Sequence, residues 1–212
     1  SVYTGGLSTV FDQAQAIKVD GSGSVYITGK SGTAGTENFL TLKINSNGTV
    51  AWAKVHNGPV NAEDNALALV LDNSAANVYV GAYSFRTGAV QDYFTIKYNT
   101  STGDSVASVA YNGPPSSTDQ MTAMTIDNSN NVYVTGFSSA VGTGFDYATL
   151  KYNSNLVQQW VQRTTNSGSD FPYFITVDNV SGYVFVTGSS VGSGTGYDYL
   201  TISYNTNGLL NW

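Results

Sequence analysis

The sequence predicts an all-β protein built as a repeat of four-stranded antiparallel units, and three observations predict it. The first is a phrase written four times: "SVYITGKS" from Ser24, "NVYVGAYS" from Asn77, "NVYVTGFS" from Asn131 and "YVFVTGSS" from Tyr183. The second is a set of landmarks in constant order. Asp12, Asp64, Asp119 and Asp170 each precede Asp20, Asp72, Asp127 and Asp178 by eight residues. The aromatics Tyr26, Tyr79, Tyr133 and Phe185 follow, then Asn38, Asp92, Asp146 and Asp198, and then Asn45, Asn99, Asn153 and Asn205. Trp52, Trp160 and Trp212 close three units, and Ala107 takes that place in the second. The third observation is a β-branched and aromatic content with no helical period.

The 212 residues divide by four into units of mean length 53. Their approximate bounds are 7–58, 59–113, 114–166 and 167–212, with 1–6 completing the last, and together they make one repeat domain. The first strand of each unit is an apolar run ended by a turn-forming Asp: "AIKVD", "ALVLD", "AMTID" and "FITVD". The second is the "VYVTG" phrase, alternating with period two. The third alternates as well, so that in "YATLKYN" Tyr147, Thr149 and Lys151 share one face and Ala148, Leu150 and Tyr152 the other. Segments such as "TVAWAKVHN" carry the fourth. The links are rich in Gly, Asn, Ser and Asp, which suit tight turns. "DGSGS", "DNSAAN", "DNSNN" and "DNVSG" lack the ligand spacing of a calcium loop and read as Asx-type hairpin turns.

A lone meander of four strands cannot bury both faces, whereas successive meanders stacked against one another can, which is the logic of a β-propeller. The landmarks resemble the bacterial seven-bladed β-propeller (SBBP) repeat, phrased close to "D..GNVYVTG.S......DY.T.KYN..G...W", over essentially the whole chain. The resemblance implies a scaffold with varied ligands and no defined activity; the chain departs from it in showing four units. Aligning "SVYTGG" with "AKVHNG" from Ala53 makes Ser1 the residue that would follow Trp212 in the repeat frame. Two expectations follow: ring closure, with the N-terminal piece completing the last blade, or an array continued by neighbouring repeats or by further copies placed head to tail.

Composition excludes several functions. Charged residues are 10% of the chain against roughly 25% in typical soluble domains, and the polar surface falls to Ser, Thr, Asn, Gly and Tyr. A net charge of −6 with eight scattered basic residues argues against nucleic acid as a partner. The chain has no Cys, and no run nears the roughly 18 apolar residues of a membrane helix, so neither thiolate chemistry nor helical membrane insertion is expected. No cofactor and no metal site is expected. The Gly-rich loops "GKSGTAGTEN", "AYSFRTGAVQD", "GFSSAVGTGFD" and "GSSVGSGTGYD" lack the helix and Lys-Ser/Thr pair of a phosphate cradle.

These loops share one end of the units with Asp12, Asp64, Asp119 and Asp170, the candidate ligand-binding face. The aspartates either satisfy the backbone of their own units or form a carboxylate ring for a cation or sugar. Phe85, Phe145 and Tyr197 on that face are candidates for stacking on glycans. Lys43, Lys97 and Lys151 occupy one repeat position and are expected to pair with carboxylates, since an uncompensated buried charge is costly. His56 is the single histidine, with Tyr111, Thr164 and Thr4 as counterparts, and no nucleophile motif flanks it. The chain is therefore not expected to be an enzyme. Sequons at Asn47, Asn99 and Asn179 are candidate glycosylation sites. The expectation is an extracellular or cell-surface structural or adhesive module, with a glycan-binding module as the alternative.

Overall fold

A computed structural model describes residues 11–88, 90–114, 117–164, 168–192 and 194–212. Residues 1–6, expected to complete the last unit, lie outside them, as does Thr4. The described residues form strands β1 (Phe11–Val19), β2 (Val25–Gly32), β3 (Asn38–Ile44), β4 (Val50–His56), β5 (Asp64–Leu71), β6 (Asn77–Arg86), β7 (Val90–Asn99) and β8 (Ser105–Tyr111). They continue with β9 (Asp119–Ile126), β10 (Val132–Ala140), β11 (Gly144–Tyr152), β12 (Gln158–Thr164), β13 (Phe171–Val177), β14 (Val184–Gly192) and β15 (Gly196–Tyr204). The chain divides into two compact units, Ser1–Ala110 and Tyr111–Trp212. The first carries sheets β1–β4 and β5–β8, the second β9–β12 and β13–β15, each paired in chain order. The fourth sheet has three strands and an antiparallel bridge between Tyr204 and Leu210, and Asn211 and Trp212 bond with Ser203 there.

The first turn of each sheet is built by its aspartate. Asp20 Oδ1 accepts from the Ser22 and Ser24 amides at 2.9 and 3.0 Å, and Asp127 Oδ1 accepts from Ser129 and Asn131 at 2.8 Å. Asp72 and Asp178 take the Ala76 and Val180 amides in the same way. These are Asx turns, as the composition of the segments predicts. The Ser22 hydroxyl, with these amides, holds Asp20 below the usual carboxylate range.

Opposite the glycine of the "TG" phrase the first strand of every sheet carries a bulge. The register shifts fall at Ala14/Ala16, Ala66/Ala68, Thr135/Gly136 and Pro172/Phe174. A Cβ on Gly29 would strike the Gln13 carbonyl, and one on Gly188 the Phe171 carbonyl. Glycine is written there because the bulged backbone lies where a side chain would begin.

In each unit the face of one sheet that bears the repeat aromatics packs on the aliphatic face of the next. In the first, Tyr26, Phe39 and Trp52 meet Leu69, Val78, Val80, Ala82, Ile96 and Tyr98. In the second, Tyr133 and Tyr147 meet Val184, Val186, Ile202 and Tyr204. The indoles fix the spacing: Trp52 Nε1 donates to Thr100 O at 3.0 Å, and Trp160 Nε1 to Thr206 O at 3.1 Å. Inside the sheets, Thr28 and Thr41, Thr135 and Thr149, and Thr187 and Thr201 form cross-strand hydroxyl pairs at 3.1, 3.0 and 2.9 Å.

Candidate functional site

The loop end of the first unit is a polar network laid on β2, β5 and β6. Asp64 opens β5 fully buried, accepting the Gly58 amide on Oδ2 at 2.5 Å and the Phe85 amide on Oδ1 at 3.2 Å. Beside it Lys30 Nζ pairs with Glu63 at 2.8 Å and with Glu37 at 3.7 Å, and the Tyr83 hydroxyl donates to Glu63 at 3.0 Å. The Lys30 ammonium holds Glu63 below the usual carboxylate range. Arg86 pairs with buried Asp92 at 2.8 Å. Phe85 lines a shallow groove of about 560 Å³ with Val60, Glu63 and Arg86. Asp12 is exposed on β1, opposite Ser31 of β2.

At the loop end of the second unit, Asp119 accepts the Gly113 amide at 2.6 Å and the Ser138 hydroxyl, and Arg163 donates to that hydroxyl and, at 2.8 Å, to Ser139 O. Burial pushes Asp119 above its ordinary value against these bonds. Arg163 also approaches buried Asp146 to 3.6 Å. Asp170 is fully buried, and neither of its oxygens has a partner among the described residues; residues 165–167, which precede it, lie outside them. Phe145 packs with Phe137 and Phe171 at 4.9 and 5.7 Å, so it is part of an aromatic cluster; Tyr197 stands exposed at 6.2 Å from Phe171. Among the described residues no group of three metal-ligating side chains converges.

The structure thus joins Asp64 and Phe85 in one unit and Asp119, Phe145, Asp170 and Tyr197 at one end of the other. Sequence reasoning missed Lys30, Glu37, Glu63 and the two arginines. The available signal was departure from the repeat: Arg163 stands where the first two units have Val55 and Ala110.

The lysine expectation is corrected. Among the described residues neither Lys43 nor Lys151 has a carboxylate within ion-pair distance; they donate to Thr100 O and Thr206 O, each at 3.1 Å. Lys43, Lys97 and Lys151 lie over the rings of Tyr26, Tyr79 and Tyr133 at 5.4, 5.4 and 5.3 Å. For Lys43 and Lys151 a ring face and a turn carbonyl accommodate the ammonium in place of an ion pair. The fourth sheet changes both members together, to Phe185 and Ser203.

His56 is half-buried and stacked between Phe39 and Phe94, with both centroid distances 4.6 Å. Burial pushes its imidazole below the ordinary 6.5, with the Asp64 charge pulling the other way. The unfolded chain therefore holds this proton at higher pH than the folded one. The contribution is complete above the ordinary value and is lost as pH falls through it. The urea midpoint is expected to drop more for the parent than for His56→Phe between about pH 7 and about pH 5; parallel curves would refute the assignment.

Of the sequons, Asn47 and Asn179 are exposed, and all three Oδ1 atoms accept backbone amides: Asn47 from Thr49 at 3.0 Å, Asn179 from Asn128 at 2.8 Å, and Asn99 from Ser101 and Thr102 at 2.9 and 3.2 Å.

No protein-family model matches the chain, and no curated protein matches it. Among solved structures, the β-propeller domain of the Trilobed protease from Pyrococcus furiosus, described as having an open velcro topology, is similar. Its TM-score is 0.52 at 5% identity, covering 93% of this chain and 54% of that one. This chain spans about half the length of that protein's chain. At such identity the likeness shows the fold alone: the chain has a β-propeller-like fold of repeated antiparallel blades.

Proposed function

We propose that the chain is a non-enzymatic extracellular β-propeller, a structural or adhesive module of a surface protein or filament. One observation carries this reading: the groups best suited to chemistry are engaged within their own units. His56 is stacked between two phenyl rings, and Asp64 and Asp119 cap backbone amides. The sparse charge and the resemblance of the landmarks to the SBBP repeat support the same reading. Antibodies against the folded chain should label intact cells of the source, and protease added outside should remove the label. Label found only after the cells are opened overturns it.

A second reading, a glycan-binding module, is favoured by an open groove of about 540 Å³ on the fourth sheet, where Tyr173, Phe174, Tyr197 and Tyr199 surround Asp198. Aromatic faces beside a carboxylate suit the apolar faces and hydroxyls of sugars. Binding on a glycan array that is lost in Tyr197→Ala is the expected result. A blank array with the folded chain removes this reading.

A further inference from the structure

Two Asn-Gly pairs stand at one repeat position, and the structure sets a carboxylate against each glycine. Asn57 and Gly58 directly follow β4, and Asn112 and Gly113 directly follow β8. Gly58 N donates to Asp64 Oδ2 at 2.5 Å in the first unit, and Gly113 N to Asp119 Oδ2 at 2.6 Å in the second. Each aspartate opens the following strand and is at most 1% exposed, whereas both asparagines are exposed.

Space fixes the glycines. A Cβ on Gly58 would strike Ser84 Oγ and lie 2.8 Å from Asp64 Oδ1; one on Gly113 would strike Ser138 Oγ and lie 2.9 Å from Asp119 Oδ1. Ser84 and Ser138 are the cross-strand partners of Asp64 and Asp119. Only a residue without a side chain passes this point, so each asparagine is followed by the least hindered main-chain nitrogen a chain can offer.

Two further Asn-Gly pairs give a comparison within the same molecule. Asn47 and Asn207 are exposed too, but Gly48 and Gly208 donate to the main-chain carbonyls of Asn45 and Asn205, at 2.8 and 3.0 Å. A peptide carbonyl accepts the hydrogen bond but is far too weak a base to take the proton, which a carboxylate can do in a general-base step. Burial pushes Asp119 above its ordinary value, which strengthens it as a proton acceptor.

We propose that Asn57 and Asn112 are self-modification sites, at which Asp64 and Asp119 serve as proton acceptors in the conversion of asparagine to aspartate and isoaspartate. The glycine nitrogen attacks the asparagine Cγ and closes a five-membered imide; as this N–C bond forms, the N–H proton passes to the carboxylate. That proton goes on to the side-chain nitrogen, whose bond to Cγ breaks, and ammonia leaves. Water opens the imide at either carbonyl, giving aspartate or, with one more carbon in the main chain, isoaspartate. Both products add a carboxylate near buried Asp64 or Asp119 in the chain, and isoaspartate also displaces the amide that caps it. Conversion thus alters the loop end of each unit from within, with no reactant beyond water.

The 212-residue chain, held folded at neutral pH in heavy-oxygen water and then mapped by peptide mass spectrometry, tests this. Label at Asn57 and Asn112 is expected to accumulate at least about tenfold faster than at Asn47 and Asn207. Asp119→Asn keeps an oxygen for the Gly113 amide and removes the base. It is expected to slow Asn112 at least about tenfold and to leave Asn57 in the same molecules unchanged, and Asp64→Asn is expected to do the reverse. Circular dichroism confirms that each variant folds, and the comparison of the four sites in the parent stands without them. Conversion at Asn57 or Asn112 no faster than at Asn47 and Asn207, or conversion at Asn112 as fast in folded Asp119→Asn as in the parent, overturns the proposal. A rate difference that persists unchanged in urea belongs to the local sequence and equally overturns it.

Discussion

Gly188→Val is expected to destabilise the second unit by about 3 kcal/mol or more, a large share of the roughly 5–15 kcal/mol that holds a typical domain together. The new side chain would begin against the Phe171 carbonyl and beside Pro172 Cα, both parts of the bulged backbone and neither able to rotate away. Gly29→Val meets the same obstacle at Gln13 and Ala14 in the first unit. Gly21 supplies the control: nothing lies within 4 Å of a Cβ built there, and Gly21→Ala should leave the transition nearly unmoved. Urea melts followed by circular dichroism read both outcomes. A Gly188→Val midpoint equal to that of the parent would remove the steric account of the repeated glycine.

The second large effect is expected at Trp52. The side chain is buried, stacks near Tyr26 and Tyr98 and spends its one donor on a carbonyl of the following sheet. Trp52→Ala should cost about 3–5 kcal/mol, the range for deleting a large buried aromatic. Trp52→Phe keeps most of the apolar contact and leaves Thr100 O without the indole, a loss of about 1 kcal/mol for the hydrogen bond besides the smaller ring. The ordering of parent, Phe and Ala in urea midpoint is the check. Equal midpoints for the two variants would show that the hydrogen bond, and not the burial, carries the contact.

What was legible in the sequence is what the repeat enforces. Asp20, Asp72, Asp127 and Asp178 recur because every sheet needs the same turn, and the structure shows each accepting the amides of its own hairpin. The alternation of Tyr147, Thr149 and Lys151 against Ala148, Leu150 and Tyr152 matches the register of β10 with β11. The part that was not legible depends on neighbours far along the chain. Lys43 was expected to find a carboxylate because burial of a charge requires compensation. Its compensation is the face of Tyr26 and the carbonyl of Thr100, and a backbone oxygen leaves no mark in a sequence. Arg163 was missed for the opposite reason: it occurs in one unit, so periodicity is blind to it, although it ties Ser138, Ser139 and Asp146 together. The repeated aspartates, read either as satisfying the backbone of their own units or as a carboxylate ring, divide physically: Asp64 and Asp119 accept local amides while Asp12 stands in the open.

The indoles of Trp52 and Trp160 grip main-chain oxygens, not the side chains of the residues that carry them. A joint of this kind is indifferent to the side chain of the residue whose carbonyl it grips, provided the turn keeps its shape and the glycine, Gly103 or Gly208, that lies against the indole. Modules joined this way can be duplicated, shuffled or exchanged without matched changes on both sides, so the gene can lengthen the array by simple copying while each module drifts in its loops.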